Sequence, residues 1–166
     1  MSSYLWDRVD RKHVSIIDHH TSSIPVRVGD LAAALGLSVI KSPMEPRISG
    51  LIRPSNSTES GFEIRVNKYE VPERQRFTVA HEISHYLLHR SDIGQGVVDS
   101  IMYRSSLTSR KETEANKLAA DIVMPAKLIL RELERLGGQN APDVASELAA
   151  IFRVSVPAMK VRLGIA

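Results

Sequence analysis

The sequence predicts an α+β fold in which a small, mainly antiparallel sheet packs against helices, with strands early and helices late. Two observations carry this. Short β-branched segments separated by turn residues fill positions 38–67, and strongly helical patterns fill the chain from Pro72 onward. The length of 166 residues and the 43% hydrophobic content give material for one core, so a single domain is expected over 1–166.

Within that domain the reading distinguishes an N-terminal extension (1–23), a central part with the sheet and the principal helices (24–125), and C-terminal helices (126–166). The first twenty residues show no decisive period. Pro25 to Leu35 reads as a short helix, because Asp30-Leu-Ala-Ala-Ala-Leu35 carries good helix formers and Gly36 suits a C-terminal cap. Ser38–Lys41, Ile48–Arg53 and Phe62–Asn67 read as strands, the last alternating apolar and charged positions. Either of the latter two is a candidate free edge for an extended peptide. The polar loop 53–61 between them leans toward disorder.

From Pro72, which fits a first helical position, no glycine or proline interrupts the pattern to about Arg90. A loop follows, then a second strong helix from Ser109 that stops before Pro125. Further helices are expected at Ala126–Leu136, Pro142–Phe152 and Ser155–Leu163, with Ser155 as N-cap.

Composition narrows the function. There is no cysteine, so no disulfide, thiol nucleophile or thiolate metal site is available, and any metal must rest on His, Asp and Glu. The longest apolar run, Leu31 to Leu37, is too short to span a bilayer, and the first residues lack a signal-peptide core. A cytoplasmic protein with no membrane partner is therefore expected. Although the formal charge is +3, basic and acidic residues interleave, so charge alone does not point to nucleic acid.

The long helix contains His81-Glu82-Ile83-Ser84-His85, an HExxH motif. At about 100° per residue, positions i and i+4 lie about 40° apart, so two imidazoles can grip one ion while Glu82 flanks it. Phe77, Ser84 and Leu88 fall within roughly 60° of His81, which puts the pair at the edge of the core-facing stripe.

A third ligand is expected from the next helix, in Glu112-Thr-Glu-Ala-Asn116. Ala115, Asn116, Ala119 and Val123 lie within roughly 60° of Glu112, whereas Glu114 points with Lys117 and Asp121 to the opposite side. Glu112 is thus the ligand candidate and Glu114 the solvated one. The small residues Ala115, Ala119 and Ser84 would let the two helices approach closely. Asn116, one turn after Glu112, is placed to accept the second N–H of His81 or His85.

Tyr103, in the loop before that helix, is the candidate hydroxyl for stabilising a developing oxyanion. His89 is read as a helix-end residue near the negative pole of the dipole, and His13, His19 and His20 as surface residues.

The stretches Arg74-Gln-Arg-Phe-Thr-Val-Ala-His-Glu-Ile-Ser-His-Tyr-Leu-Leu-His89 and Glu112-Thr-Glu-Ala-Asn-Lys-Leu-Ala-Ala-Asp-Ile-Val-Met-Pro125 resemble the ImmA/IrrE family of zinc metallo-endopeptidases. The likeness extends over roughly residues 24–164. It implies a zincin-like helical core, Zn2+ held by His81, His85 and Glu112, and Glu82 as the catalytic carboxylate. Many related peptidases with a gluzincin-like arrangement carry Asp where this chain has Asn116. The resemblance also implies a protein substrate such as a helix-turn-helix repressor or an antitoxin-like partner, and hence a link to transcription regulation.

The rival reading is a DNA-binding or protein-binding regulator with a vestigial metal site, because Leu148 to Leu163 has helix-turn-helix spacing. Only Lys160 and Arg162 supply cations to its second helix, so packing on the core is the favoured role and direct nucleic-acid binding the disfavoured one.

Overall fold

The computed structural model describes residues 3–93, 98–99 and 109–165. The first twenty residues form two helices, α1 (Ser3–Trp6) and α2 (Arg11–His20). Asp10 caps α2 by accepting from the Lys12 amide at 3.0 Å. Leu5 and Ile17 are fully buried, so this segment belongs to the core rather than trailing from it. Helix α3 (Val28–Ala34) is shorter than expected at its start, and Gly36 follows it at φ 78°. A side chain there would be strained.

Four strands follow: β1 (Ser38–Ser42), β2 (Gly50–Pro54), β3 (Phe62–Asn67) and the two-residue β4 (Val98–Asp99), in the sheet order β1-β3-β2-β4. Strand β3 inserts between β1 and β2, which run in opposite directions. It is therefore antiparallel to β2, with Ile64 opposite Ile52, and parallel to β1, with Ile64 opposite Val39. Strand β2 also pairs antiparallel with β4. The sheet is mainly antiparallel, as expected, with one parallel pair. Neither β2 nor β3 is an edge: among the described residues the outer positions belong to β1 and β4.

Helix α4 (Pro72–Leu88) starts with proline where the helix needs no N–H donor. It packs against β2, β3 and α3 on one side and against α5 (Ser109–Val123) on another. A single 3-10 turn follows it at Arg90–Asp92. Helices α6 (Ala126–Arg135), α7 (Val144–Phe152) and α8 (Val156–Leu163) complete the chain. Ile52, Ile64 and Val66 from the sheet, Val79, Ala80 and Ile83 from α4, and Leu118 and Ile122 from α5 are all buried in one cluster. Each large aliphatic chain so buried contributes roughly 1.5–3 kcal/mol.

The connection from β1 to β2 is pinned by Asn67, whose side-chain amide donates to the carbonyls of Glu45 (3.2 Å) and Ile48 (2.8 Å). Gln75 of α4 donates in turn to the Asn67 carbonyl at 2.9 Å. This fixes Ser49 and Gly50 above α4. A Cβ on Gly50 would lie 2.5 Å from Thr78 Cγ2 and 2.6 Å from the Arg65 carbonyl oxygen, so only glycine allows β2 to come this close.

The C-terminal pair packs inward. Phe152 and Met159 are fully buried, and Ser155 caps α8 by accepting from the Ala158 amide. Arg162 donates to Asp121 at 2.8 Å and to the Met124 carbonyl, while Lys160 faces solvent. One of the two cations of the possible recognition helix is thus committed to the core. No helix among the described residues is long and apolar enough to cross a membrane.

Candidate metal centre

Helix α4 presents His81 and His85 one turn apart, and α5 brings Glu112 to face them, all three buried. The close approach has the expected cause. Ala115, Ala119 and Ser84 are fully buried, and the Ser84 hydroxyl turns back to the Ala80 carbonyl at 2.7 Å, leaving no side chain to hold the helices apart.

The three groups form a triangle of short contacts, closed through both oxygens of Glu112. His81 Nε2 and His85 Nε2 are 3.1 Å apart, His81 Nε2 is 3.1 Å from Glu112 Oε2, and His85 Nε2 is 3.0 Å from Glu112 Oε1. Ligand atoms about 2.0–2.1 Å from a tetrahedral ion stand about 3.3 Å from one another, so two imidazole nitrogens and a carboxylate at this spacing fit a zinc-sized cation. The charges agree. Burial works against a charged His81, but its hydrogen bond to Glu112 and the negative charges of Glu82 and Glu112 raise its pKa. Burial likewise opposes ionisation of Glu112, yet the hydrogen bonds from His81 and His85 hold its carboxyl well below the usual range.

Outside the triangle each histidine has a second partner. His81 Nδ1 donates to Asn116 Oδ1 at 2.8 Å, the contact expected from the wheel. His85 Nδ1 lies 2.9 Å from His89 Nδ1, and His89 Nε2 lies 3.0 Å from Glu114 Oε1, whose other oxygen is bound by Arg8. Burial is the leading influence on His89 and keeps its pKa low, whereas the His89 and Arg8 contacts outweigh burial and keep the Glu114 carboxyl low.

These contacts correct two readings. Glu114 is buried, 4% exposed, because α1 and the turn after it cover the side of α5 that would otherwise meet solvent. His89 is the C-terminal cap of α4 but is also buried and tied to His85, so its role is more than a dipole contact. The available signal for it was the spacing His85 to His89, the same four residues that pair His81 with His85. His13 is buried too, against the ring of Tyr86, whereas His19 is exposed as expected.

Glu82 is buried and lines a cleft of about 450 Å³ together with His81, Glu112 and Asn116, under Ser49 and Gly50. Arg74 stands at the same cleft and donates to Ser49 Oγ. Tyr103 lies outside the described residues.

A sheet laid over an HExxH helix, with a carboxylate supplied by the following helix, defines a domain built around a candidate metal centre. The chain belongs to the Peptidase M78 family, whose model, described as the IrrE N-terminal-like domain, matches residues 32–164. It is 40% identical over 74 residues to the radiation response metalloprotease IrrE of Deinococcus radiodurans, a match covering 45% of this chain and 23% of that protein. It is 33% identical over 122 residues to the protein of the same name from Deinococcus deserti, covering 67% of this chain and 43% of the relative. The chain thus aligns with less than half the length of either relative. Among solved structures, a Mycobacterium tuberculosis transcriptional regulator shares the fold, with a TM-score of 0.57 at 18% identity over 96% of this chain and 49% of the other.

Proposed function

We propose that this chain is a zinc-dependent metallo-endopeptidase domain that hydrolyses a peptide bond in a protein substrate. The observation that carries the reading is the buried triangle of His81, His85 and Glu112 with Glu82 beside it in an open cleft. Membership of a peptidase family supports it.

In this mechanism His81, His85 and Glu112 hold the ion. Bound zinc supplies Lewis-acid polarisation of the scissile carbonyl and acidifies a water. Glu82 takes one proton from the attacking water as its oxygen bonds to the carbonyl carbon, then delivers that proton to the amide nitrogen as the C–N bond breaks. Asn116 holds His81 in the tautomer that leaves Nε2 free to bind metal. Tyr103 is the proposed donor to the oxyanion, and Tyr103→Phe tests it: unchanged turnover removes the assignment.

The proposed substrate is a helix-turn-helix repressor or an antitoxin-like protein in the cytoplasm, a proposal that stems from the family resemblance. The test co-expresses the chain with a repressor-like protein encoded beside it. The wild type should release a defined fragment, and Glu82→Gln should bind zinc stoichiometrically yet release none. Fragment formation by Glu82→Gln at the wild-type rate would overturn the mechanism.

A further inference from the structure

We infer that Arg8, acting through Glu114 and His89, is a positioning residue for His85, so that the N-terminal segment is a working part of the metal centre. The inference rests on the metal-site reading above and extends it to residues outside the 32–164 stretch that defines the family.

Three contacts join in series. His85 Nδ1 meets His89 Nδ1 at 2.9 Å, His89 Nε2 meets Glu114 Oε1 at 3.0 Å, and Glu114 Oε2 receives the Arg8 guanidinium. Only one arrangement of protons satisfies all of them with a metal on His85. Because Nε2 of His85 must offer its lone pair to the ion, the ring proton sits on Nδ1 and is donated to His89. His89 then accepts through Nδ1, carries its own proton on Nε2, and donates it to Glu114. The carboxylate is an acceptor on both oxygens, and Arg8 is a donor only. The two histidine hydrogen bonds therefore run outward from the candidate metal centre, the Arg8 hydrogen bond runs inward, and both sets meet at the Glu114 carboxylate.

The setting favours a fixed relay. His89 and Glu114 are 2% and 4% exposed, so water does not compete for their polar atoms. Arg8, in the turn after α1, closes the series at the surface with its side chain 40% exposed. Arg110 reaches the same Glu114 oxygen only at 3.9 Å and is 86% exposed, too long and too solvated a contact to direct the carboxylate. Without Arg8, the Glu114 carboxylate loses the donor that fixes its Oε2, and the acceptor that sets the His89 tautomer is held less firmly. His81 has its own acceptor in Asn116, so the relay acts on one ligand of the three.

The experiment measures zinc affinity of the full chain by chelator competition, with Co2+ absorption as a report on ligand geometry. Changing the outer partners of a metal-binding histidine typically weakens binding about 10–100-fold. Arg8→Ala should fall near the lower end and Glu114→Ala toward the upper. Both should alter the Co2+ ligand-field bands while the far-UV circular dichroism stays that of the wild type, and Arg8→Lys should recover part of the affinity. An Arg8→Ala protein that is folded, with zinc affinity within about twofold of wild type and an unchanged Co2+ spectrum, overturns the inference while leaving the metal site intact.

If Arg8→Ala does not fold, long-range 1H–15N correlations on the zinc-loaded wild type decide the matter. His85 must carry its proton on Nδ1 and His89 on Nε2. A His89 protonated on Nδ1 breaks the series and overturns it. Wild-type protein that takes up neither zinc nor cobalt overturns the metal-site reading and this inference together.

Discussion

His81 holds its Nδ1 2.8 Å from the side-chain oxygen of Asn116, one helical turn beyond Glu112 on the facing helix. One face of α5 therefore supplies both a candidate ligand, Glu112, and the partner of a second one, His81. Asn116 itself is exposed, so replacing it should cost little stability. Asn116→Ala should weaken zinc binding about 10–100-fold, and Asn116→Asp, which keeps an acceptor in place, should retain or tighten it. Chelator competition reads both, and equal affinities for the alanine variant and wild type would remove Asn116 from the centre.

The legible part of this site was the part governed by helix periodicity. The four-residue step from His81 to His85 and the wheel around Glu112 depend only on local geometry, and both elements formed where the pattern placed them. The same wheel turned Glu114 and Asp121 away from the cluster of His81, His85 and Glu112, and both make their contacts elsewhere. It could not say what lay there, because residues 3–20 carry no clear period and their docking on α5 is a long-range event. Trp6, Arg8 and His13 acquire their partners only through that docking. The sheet edge was hidden for a similar reason: strand order depends on which strand inserts between which, and β3 entered between two strands that precede it.

Gly50 fixes the roof of the cleft. With 2.5 Å to Thr78 Cγ2 and 2.6 Å to the Arg65 carbonyl oxygen, an added methyl must shift β2 itself, because moving the threonine alone leaves the backbone contact in place. Gly50→Ala is expected to cost about 1–3 kcal/mol, the usual penalty for overpacking. Urea unfolding measures it, and a midpoint equal to wild type would show that the strand can retreat freely.

Asp121 joins three elements. Its carboxylate accepts from Trp6 Nε1 at 2.9 Å and from Arg162 at 2.8 Å, so α1 and α8 are both anchored to α5 through one buried group. Removing one partner of a buried ion pair leaves the other uncompensated, and Asp121→Ala should cost about 3 kcal/mol. Trp6 is the single tryptophan, so its emission reports the release of α1 directly. A red shift at denaturant concentrations below the main transition is expected, and a coincident single transition would mean that the other contacts of this segment, the Arg8–Glu114 pair among them, hold α1 without Asp121.

His13 makes stability depend on pH. It is buried against the Tyr86 ring, and its Nδ1 has no hydrogen-bond partner among the described residues. Burial first, and then the charge of Arg90, hold its pKa below the ordinary histidine value; Lys12 adds to this and Asp10 opposes it. The unfolded chain, with a histidine pKa of about 6.5, therefore takes up the proton before the folded one does as pH falls. Stability from the neutral, buried ring is complete above about pH 6.5 and is lost as pH drops from there toward the folded-state pKa. His13→Phe fills the same space without titrating. The difference in unfolding free energy between wild type and this variant, measured by denaturant at pH 8, 7, 6 and 5, should stay level at the upper values and shift in favour of the variant at the lower ones. A difference independent of pH would show that His13 ionises in the folded protein as readily as in the unfolded chain.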